Sequence, residues 1–378
     1  MLYNEFQGMK LSALGMGCMR LPVIDGKEAD IDVAATQEMV DYAMASGVNY
    51  YDTAWGYHDG HSAPVMGECL SKYSHDNYYL ANKFPGYDLN NMDKVEAIFE
   101  QQIIDCRVDY FDFYLIHNVC EMNINEYLDP KYGIFDYLWK QKQAGRIKHL
   151  GFSAHGRIDC MKRFLEAYGE HMEFCQIQLN WFDWDFQDAK GKMELLREWN
   201  IPVWVMEPVR GGMLAKLSPE NEAKLRALRP DEDIPAWSFR FLQTLPDVCV
   251  TLSGMSDIDQ MKANIDTYKD NKPLNDTEMS ALMEVAANIA SETLVPCTKC
   301  HYCTSHCPQE LDIPLLLDLL REHRMSDGHG FLAPMLVGTL PEDKRPSACL
   351  ACRSCEAVCP QQIKISEKLA EFNAMLNK

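Results

Sequence analysis

Positive charge is scarce in this chain: 36 lysines and arginines stand against 56 aspartates and glutamates, a formal balance of -20. No basic stripe relieves that balance, so a nucleic-acid backbone or an anionic membrane surface is excluded as a partner. Long hydrophobic runs are missing as well. No uncharged stretch reaches the roughly 20 residues that a spanning helix needs, and Met1–Phe6 lacks the basic and apolar parts of a signal peptide. A cytoplasmic protein is expected. Also lacking is a Gly-x-Gly-x-x-Gly run after the first apolar strand, which argues against a doubly wound sheet. Cysteine is plentiful, but eight of the fifteen fall into two tight runs, a pattern that suits reduced thiols and a metal site better than a disulfide framework.

What the chain does have is regular alternation. Strand-like segments at Leu11–Met16, Asn49–Ala54, Tyr78–Phe84, Tyr110–His117, His149–Ala154, Phe174–Asn180, Pro202–Pro208 and Val248–Gly254 are separated by amphipathic stretches long enough for helices. These include Val33–Ala45, Met92–Cys106, Phe135–Gln143, Cys160–Tyr168, Met193–Trp199, Ala236–Leu245 and Ile258–Tyr268. Eight such repeats predict a (β/α)8 barrel, in which polar residues at the carboxyl ends of strands carry the chemistry. The stretch Asn49–Tyr57 fits that rule, since a strand there ends in Asp52 and a turn at Gly56 leads to Tyr57. The long connection 209–233 has the length of a lid. His58 and His61 read as the polar rim of a pocket, and Trp55, Trp181 and Trp184 as its walls, with core packing as the alternative. A helix over Thr277–Ser291 closes the barrel. Composition then turns to cysteine, proline and histidine, which sets the expected division at 1–290 and 291–378, the second part small and mainly helical.

In that second part Cys297-x2-Cys300-x2-Cys303-x3-Cys307-Pro308 is matched by Cys349-x2-Cys352-x2-Cys355-x3-Cys359-Pro360. This is the spacing of bacterial two-cluster ferredoxins, where three thiolates of one run and the fourth of the other hold each cubane. Cys297, Cys300, Cys303 and Cys359 then ligate one [4Fe–4S] cluster, and Cys349, Cys352, Cys355 and Cys307 the other. Structural zinc, the alternative, usually takes paired Cys-x2-Cys hairpins rather than triplets. The remaining seven cysteines lack ligand spacing and read as buried apolar side chains.

Taken with the strand positions, Leu14-Gly15-Met16-Gly17-Cys18-Met19-Arg20-Leu21-Pro22, the stretch through Asp52 and Tyr57, Ala81-Asn82-Lys83, Tyr114-Leu115-Ile116-His117-Asn118, Gly151-Phe152-Ser153, Gln176-Ile177-Gln178-Leu179-Asn180, Glu207-Pro208-Val209-Arg210-Gly211-Gly212 and Leu252-Ser253-Gly254-Met255 form an ordered set. In that order the chain resembles the aldo/keto reductases, in the branch with a C-terminal dicluster iron–sulfur domain. The resemblance implies an NAD(P)H-linked carbonyl reductase with Asp52, Tyr57, Lys83 and His117 as its catalytic tetrad. It also implies Ser153 and Gln176 on the nicotinamide carboxamide, and Ser253, Gly254, Gln260 and Asn264 along the adenosine side. Two positions depart from the family pattern. Met206 stands where many relatives stack an aromatic ring on the nicotinamide. Gly254, Asp257 and Gln260 stand where NADP-preferring members present cations, leaving Arg20 or Arg210 to reach a phosphate.

The implied chemistry is coherent. A phenol needs a neighbouring cation to bring its pKa down toward neutrality, which Lys83 supplies, with Asp52 holding the ammonium and His117 donating to the carbonyl oxygen. Electron count poses the remaining question, because nicotinamide moves two electrons together and each cluster one. A bound flavin or a radical-tolerant substrate would couple the two, and an electron-transfer protein would be the partner. Otherwise the cluster domain is a docking or structural module on an autonomous reductase, or the whole protein senses nucleotide or redox state without turnover.

Overall fold

The computed structural model describes residues 1–293, 295–297, 299–326, 330 and 332–377. Contacts divide the chain into two compact units, Met1–Met283 and Glu284–Lys378.

The first unit opens with a hairpin, β1 (Tyr3–Phe6) and β2 (Met9–Ser12). Its two-residue turn, Gln7 and Gly8 at φ 49° and 84°, matches the twist of paired strands. Eight parallel strands then close a barrel: β3 (Leu14–Gly17), β4 (Tyr50–Asp52), β5 (Tyr79–Phe84), β6 (Phe111–Val119), β7 (Ile147–Ala154), β8 (Cys175–Gln178), β9 (Val203–Met206) and β10 (Val248–Gly254), the last pairing with both β9 and β3. The nine residues of β6 are all buried, as expected of a parallel strand covered on both faces. Tyr50, Phe113, Phe174 and Trp204 fill the interior, and Phe6 of the hairpin packs among them, 5.1 Å from Trp204 between ring centres. The hairpin therefore plugs the amino end and leaves the carboxyl ends of the strands to form a mouth.

The barrel helices include α1 (Val33–Ala45), α2 (Ser62–Leu70), α3 (Val95–Cys106), α4 (Ile124–Leu128), α5 (Ile134–Gln143), α6 (Ile158–Tyr168), α7 (Asp183–Phe186), α8 (Ala189–Glu198), α9 (Pro219–Arg226), α10 (Ile234–Leu242) and α11 (Ile258–Thr267). The sequence pattern misses α2, because Pro64 and Gly67 weaken its helical signal. Pro64 sits in the first turn, where its missing N–H costs nothing, and a Cβ on Gly67 would lie 2.3 Å from the Asp105 carbonyl of α3. The connection 209–233 is not a free lid. It holds a 3-10 turn, Arg210–Ala215, and then α9, whose cap is Ser218.

Helix α12 (Asp276–Thr293) runs past the boundary between the two units. The second unit contains α13 (Ile313–Met325), α14 (Leu332–Thr339), α15 (Ser354–Ala357) and α16 (Ile365–Leu376) around Leu316, Leu320, Leu369 and Phe372. Among the described residues no helix is long and apolar enough to cross a membrane.

Candidate active site and cluster domain

At the mouth of the barrel Asp52 ends β4 and Lys83 lies near the end of β5, its side chain fully buried. The Lys83 ammonium donates to Asp52 Oδ1 at 2.5 Å, to the Thr53 carbonyl at 2.8 Å and to the Tyr57 hydroxyl at 3.3 Å. Its three N–H donors are thus all used. Burial alone would lower the Lys83 pKa, but the Asp52 charge and the Tyr57 hydroxyl overcome it and hold the ammonium above its ordinary value. The Tyr57 phenol shifts the other way from the expectation. Burial pushes it up, Lys83 pulls it down and Asp52 pushes it up again, and the balance lies above the ordinary value. A cation was expected to lower it, but the same cation is already neutralised by Asp52. Tyr57 therefore stays protonated at neutral pH, the form a proton donor needs.

His117 lies on β6, its ring 6.2 Å from that of Tyr57 and 5.3 Å from that of Tyr87, edge-on to both. Burial, the Lys83 charge and His155 hold its pKa well below the usual range, so the imidazole is neutral and carries one N–H. Its main chain is fixed by the Tyr127 hydroxyl, which donates to the His117 carbonyl at 2.6 Å. Tyr57 stands on a short turn in which His58 and Asp59 are left-handed, at φ 54° and 53°. His58 lines the cavity beside Tyr57, as expected of a rim residue, but is itself buried. It accepts the Leu21 N–H at Nε2 (3.0 Å) and donates from Nδ1 to the Glu28 carbonyl (2.8 Å), which ties the loop after β3 to the Tyr57 turn.

Sequence reasoning passed over Tyr87, Tyr127 and Thr53. Tyr87 reaches the Tyr57 turn, where its hydroxyl lies against Gly56: a Cβ there would fall 2.2 Å from it, so the Tyr87 side chain would have to shift. Trp181 is buried and donates to Ser238 Oγ at 2.9 Å, so it belongs to the packing, whereas Trp184 is half-buried with its ring against Phe241.

The residues expected to hold a dinucleotide lie on neighbouring strand ends. Ser153 of β7 faces Gln176 of β8 in register, and Met206 ends β9 beside Gln178. Ser253 of β10 accepts from Asn264 of α11 at 3.1 Å. Gln260 is engaged in the α11 cap, where its N–H and amide bond Asp257 and its Oε1 accepts the Ser256 N–H. Arg20 lies across Gly254, whose hypothetical Cβ would be 3.1 Å from Arg20 Cδ, and its guanidinium is 3.5 Å from Glu207. Arg210 cannot serve a phosphate as it stands. It is buried in an ion pair with Asp183 at 3.0 Å and covers the rings of Phe182 and Phe186. Around the mouth Asp52 Oδ2, His117 Nδ1, Asn118 Oδ1 and Gln176 Oε1 are buried without hydrogen-bond partners. Buried polar atoms normally find partners, so this set fits a polar ligand seated between them.

In the second unit, Cys297, Cys300 and Cys303 share one cavity with Cys359 of the other run. Cys355 has Cys307 and Cys349 near enough that, after burial and Glu356, their charges help push its thiol up to about 11. Cys359 thus lies with the first three thiols of the other run, and Cys307 lies near Cys349 and Cys355. Backbone geometry repeats with the sequence. Lys299, His301 and Glu310 are left-handed, and so are Ala351, Arg353 and Gln362 at the same offsets from Cys349 as the first three from Cys297. Such alternating turns aim successive N–H groups into an anion-binding hollow of the kind that holds iron–sulfur clusters. Among the described residues no three His, Cys, Asp or Glu side chains converge on a single metal ion. Cys303 and Cys355 are buried, whereas Cys300 and Cys352 are exposed.

The model of the aldo/keto reductase family matches residues 13–287. The chain belongs to that family. Residues 296–369 match the 4Fe-4S dicluster domain, so an aldo/keto reductase barrel is joined here to an iron–sulfur module. Among curated relatives, an uncharacterized oxidoreductase of Bacillus subtilis, YqkF, is 25% identical over 307 residues, covering 72% of this chain and 92% of that protein. The NADH-specific methylglyoxal reductase of Escherichia coli is 22% identical, covering 73% of this chain and 95% of that protein. The holo form of the aldo-keto reductase AKR11C1 from Bacillus halodurans shares the barrel fold with a TM-score of 0.61 at 22% identity, over 75% of this chain and 95% of that one. An aldo-keto reductase from Klebsiella pneumoniae in complex with NADPH does so with a TM-score of 0.59 at 17% identity, over 76% and 96%. All four likenesses cover about three quarters of this aldo/keto reductase.

Proposed function

We propose that this aldo/keto reductase reduces the carbonyl group of a small molecule with a nicotinamide dinucleotide, and that its two [4Fe–4S] clusters exchange electrons with that reaction. The observation that carries the reading is the buried Lys83 ammonium, shared among Asp52, Thr53 and the Tyr57 hydroxyl beside a neutral His117. When bound, a reduced nicotinamide supplies a hydride and the clusters supply single-electron steps. Ser153 and Gln176 would hold the carboxamide, Met206 would lie under the ring, and Ser253, Gly254, Gln260 and Asn264 would line the adenosine half with Arg20 near the phosphates. The polar atoms without partners at the mouth support that placement.

The protein's own part follows from charge. His117 donates its single N–H to the carbonyl oxygen, where negative charge grows. Tyr57 passes its phenolic proton to the same oxygen. Lys83 then sits against the phenolate it leaves, and Asp52 keeps Lys83 charged. The names of the relatives, one NADH-specific and one crystallised with NADPH, leave NAD or NADP to be decided by Arg20. Replacing Tyr57 by Phe should lower turnover of a test aldehyde by about a hundred- to ten-thousandfold with dinucleotide binding retained; unimpaired turnover would refute the reading.

Coupling to the clusters finds support in the exposed Cys300 and Cys352, which bring an edge of each cysteine set to the surface, where an electron-transfer protein can approach. Splitting a two-electron donor needs a carrier of the flavin class. Adding NADH or NADPH anaerobically should bleach the visible absorption of the clusters when all cofactors are present. If aldehyde is consumed while the absorption stays constant, the barrel is an autonomous reductase and the module serves docking or structure.

A further inference from the structure

A second amide oxygen at the mouth has no place in the mechanism so far. Asn118 follows His117 at an irregularity in β6: Ile116 pairs with Phe152 and Val119 with Ala154, so three steps on β6 face two on β7. The extra residue is a bulge, a device that re-aims side chains next to active sites. Asn118 itself is left-handed, at φ 58°, and buried. Two bonds hold its main chain there. Its N–H donates to Ser153 Oγ at 2.8 Å, and its carbonyl accepts from Asn123 Nδ2 at 2.8 Å. The side chain is left without a bond, and its Oδ1 is buried with no partner, as is Gln176 Oε1.

Asn118, Ser153 and Gln176 thus stand on three adjacent strands, β6, β7 and β8, with Ser153 in the middle touching the first and paired in register with the last. The residues on either side of Ser153 each carry an unsatisfied acceptor oxygen, and its hydroxyl already accepts one bond and still has its proton to donate. A planar primary carboxamide is the complement of that arc, since its NH2 carries two donors and its oxygen one acceptor. We propose that Asn118 is a third carboxamide-binding residue, its Oδ1 accepting from the amide NH2 of the dinucleotide. This rests on the nicotinamide reading above and adds to it a residue and a polarity: the site selects for the NH2 group and not only for a carbonyl.

The test compares dinucleotides that differ at that group. Whichever of NADH and NADPH the intact, cluster-loaded protein binds more tightly is titrated calorimetrically against its 3-acetylpyridine counterpart, which has a methyl group in place of the NH2. The wild type should prefer the carboxamide by roughly tenfold, the cost of leaving a buried acceptor unpaired. Asn118→Gly removes the side chain while tolerating the left-handed backbone, and should cut that preference by about threefold, the remainder coming from Gln176 Oε1. ADP-ribose, which lacks the nicotinamide, should bind the variant as well as the wild type. Asn118→Ala repeats the readout if the glycine variant does not fold. Equal binding of the two dinucleotides by the wild type, or a preference undiminished in the variants, overturns the assignment. If ADP-ribose binds and neither dinucleotide binds more tightly than it does, the nicotinamide reading falls as well.

Discussion

Asp52 and Lys83 meet at 2.5 Å with side chains 3% and 0% exposed, so each is the other's counter-ion in a buried site. Breaking a buried pair leaves an uncompensated charge and costs about 3–5 kcal/mol, whereas replacing both partners by apolar groups is often near neutral. Asp52→Leu and Lys83→Met should each lower the unfolding free energy by about that amount, and the double variant should recover most of it. All three should be inactive. Denaturant unfolding of the four proteins gives the coupling, and additive losses would show that the pair does not act as a unit.

Glu173 provides a pH-dependent element at the opposite end of the barrel. Burial would raise its carboxyl, but His149 at 2.8 Å, Lys142 at 2.6 Å and the Leu150 N–H at 3.0 Å overcome this and bring it down to about 2. A carboxylate depressed in the folded state stabilises above its unfolded pKa, near 4.5, and that contribution is lost as pH falls through the folded value. With the side chain 18% exposed, the contribution is about 2 kcal/mol after allowing for screening. Wild type and Glu173→Gln should therefore differ in stability at pH 6 by about that amount and converge toward pH 2, read by thermal unfolding across that range. A difference independent of pH would assign Glu173 a packing role only.

The proposed crossed ligation, which the spacing implies and the shared cavity of Cys297, Cys300, Cys303 and Cys359 supports, groups the eight cysteines into two sets of four. Cys359→Ala should resemble Cys300→Ala, and Cys307→Ala should resemble Cys352→Ala, each falling from about eight irons to about four. Electron paramagnetic resonance of the reduced variants would identify which cluster survives. A Cys359 variant that loses the same signal as the Cys352 variant would contradict the cavity that Cys359 shares with Cys297, Cys300 and Cys303.

These features were unevenly legible in the sequence. Asp52 could be singled out because a barrel concentrates chemistry at strand ends, whereas Lys83 and His117 entered through the family resemblance; each sits near a strand end. The cysteine runs carried their own spacing, and even the left-handed turns follow it. What escaped depends on contacts between distant residues. Arg210 looked available for a phosphate, since nothing in the chain announces that Asp183, 27 residues away, neutralises it. Hairpin β1–β2 was passed over although Gln7-Gly8 is a turn signal, because it lies outside the repeating pattern it plugs. The bulge at Asn118 adds a residue to a strand, and alternation in a fully buried strand is too weak to reveal it. The direction of the Tyr57 shift required knowing that its cation is already paired and its ring buried.

Arg20 and Glu207 set the charge of the mouth beside Gly254. Their 3.5 Å contact has side chains 45% and 26% exposed, so as a salt bridge it contributes little to stability. Its consequence is for ligands instead. A dinucleotide brings at least two negative charges, which Arg20 attracts and Glu207 repels, and an engaged guanidinium must leave Glu207 to reach a phosphate. Arg20→Ala should weaken dinucleotide binding by about tenfold, Glu207→Gln should strengthen it by several-fold, and raising the salt should shrink both differences. If Arg20 serves the 2′-phosphate in particular, Arg20→Ala will weaken NADPH and spare NADH; if it serves the shared diphosphate, both will weaken alike. Calorimetric titration of both dinucleotides at low and high salt distinguishes the cases, and binding unchanged by either substitution would show that this pair faces solvent rather than the cofactor.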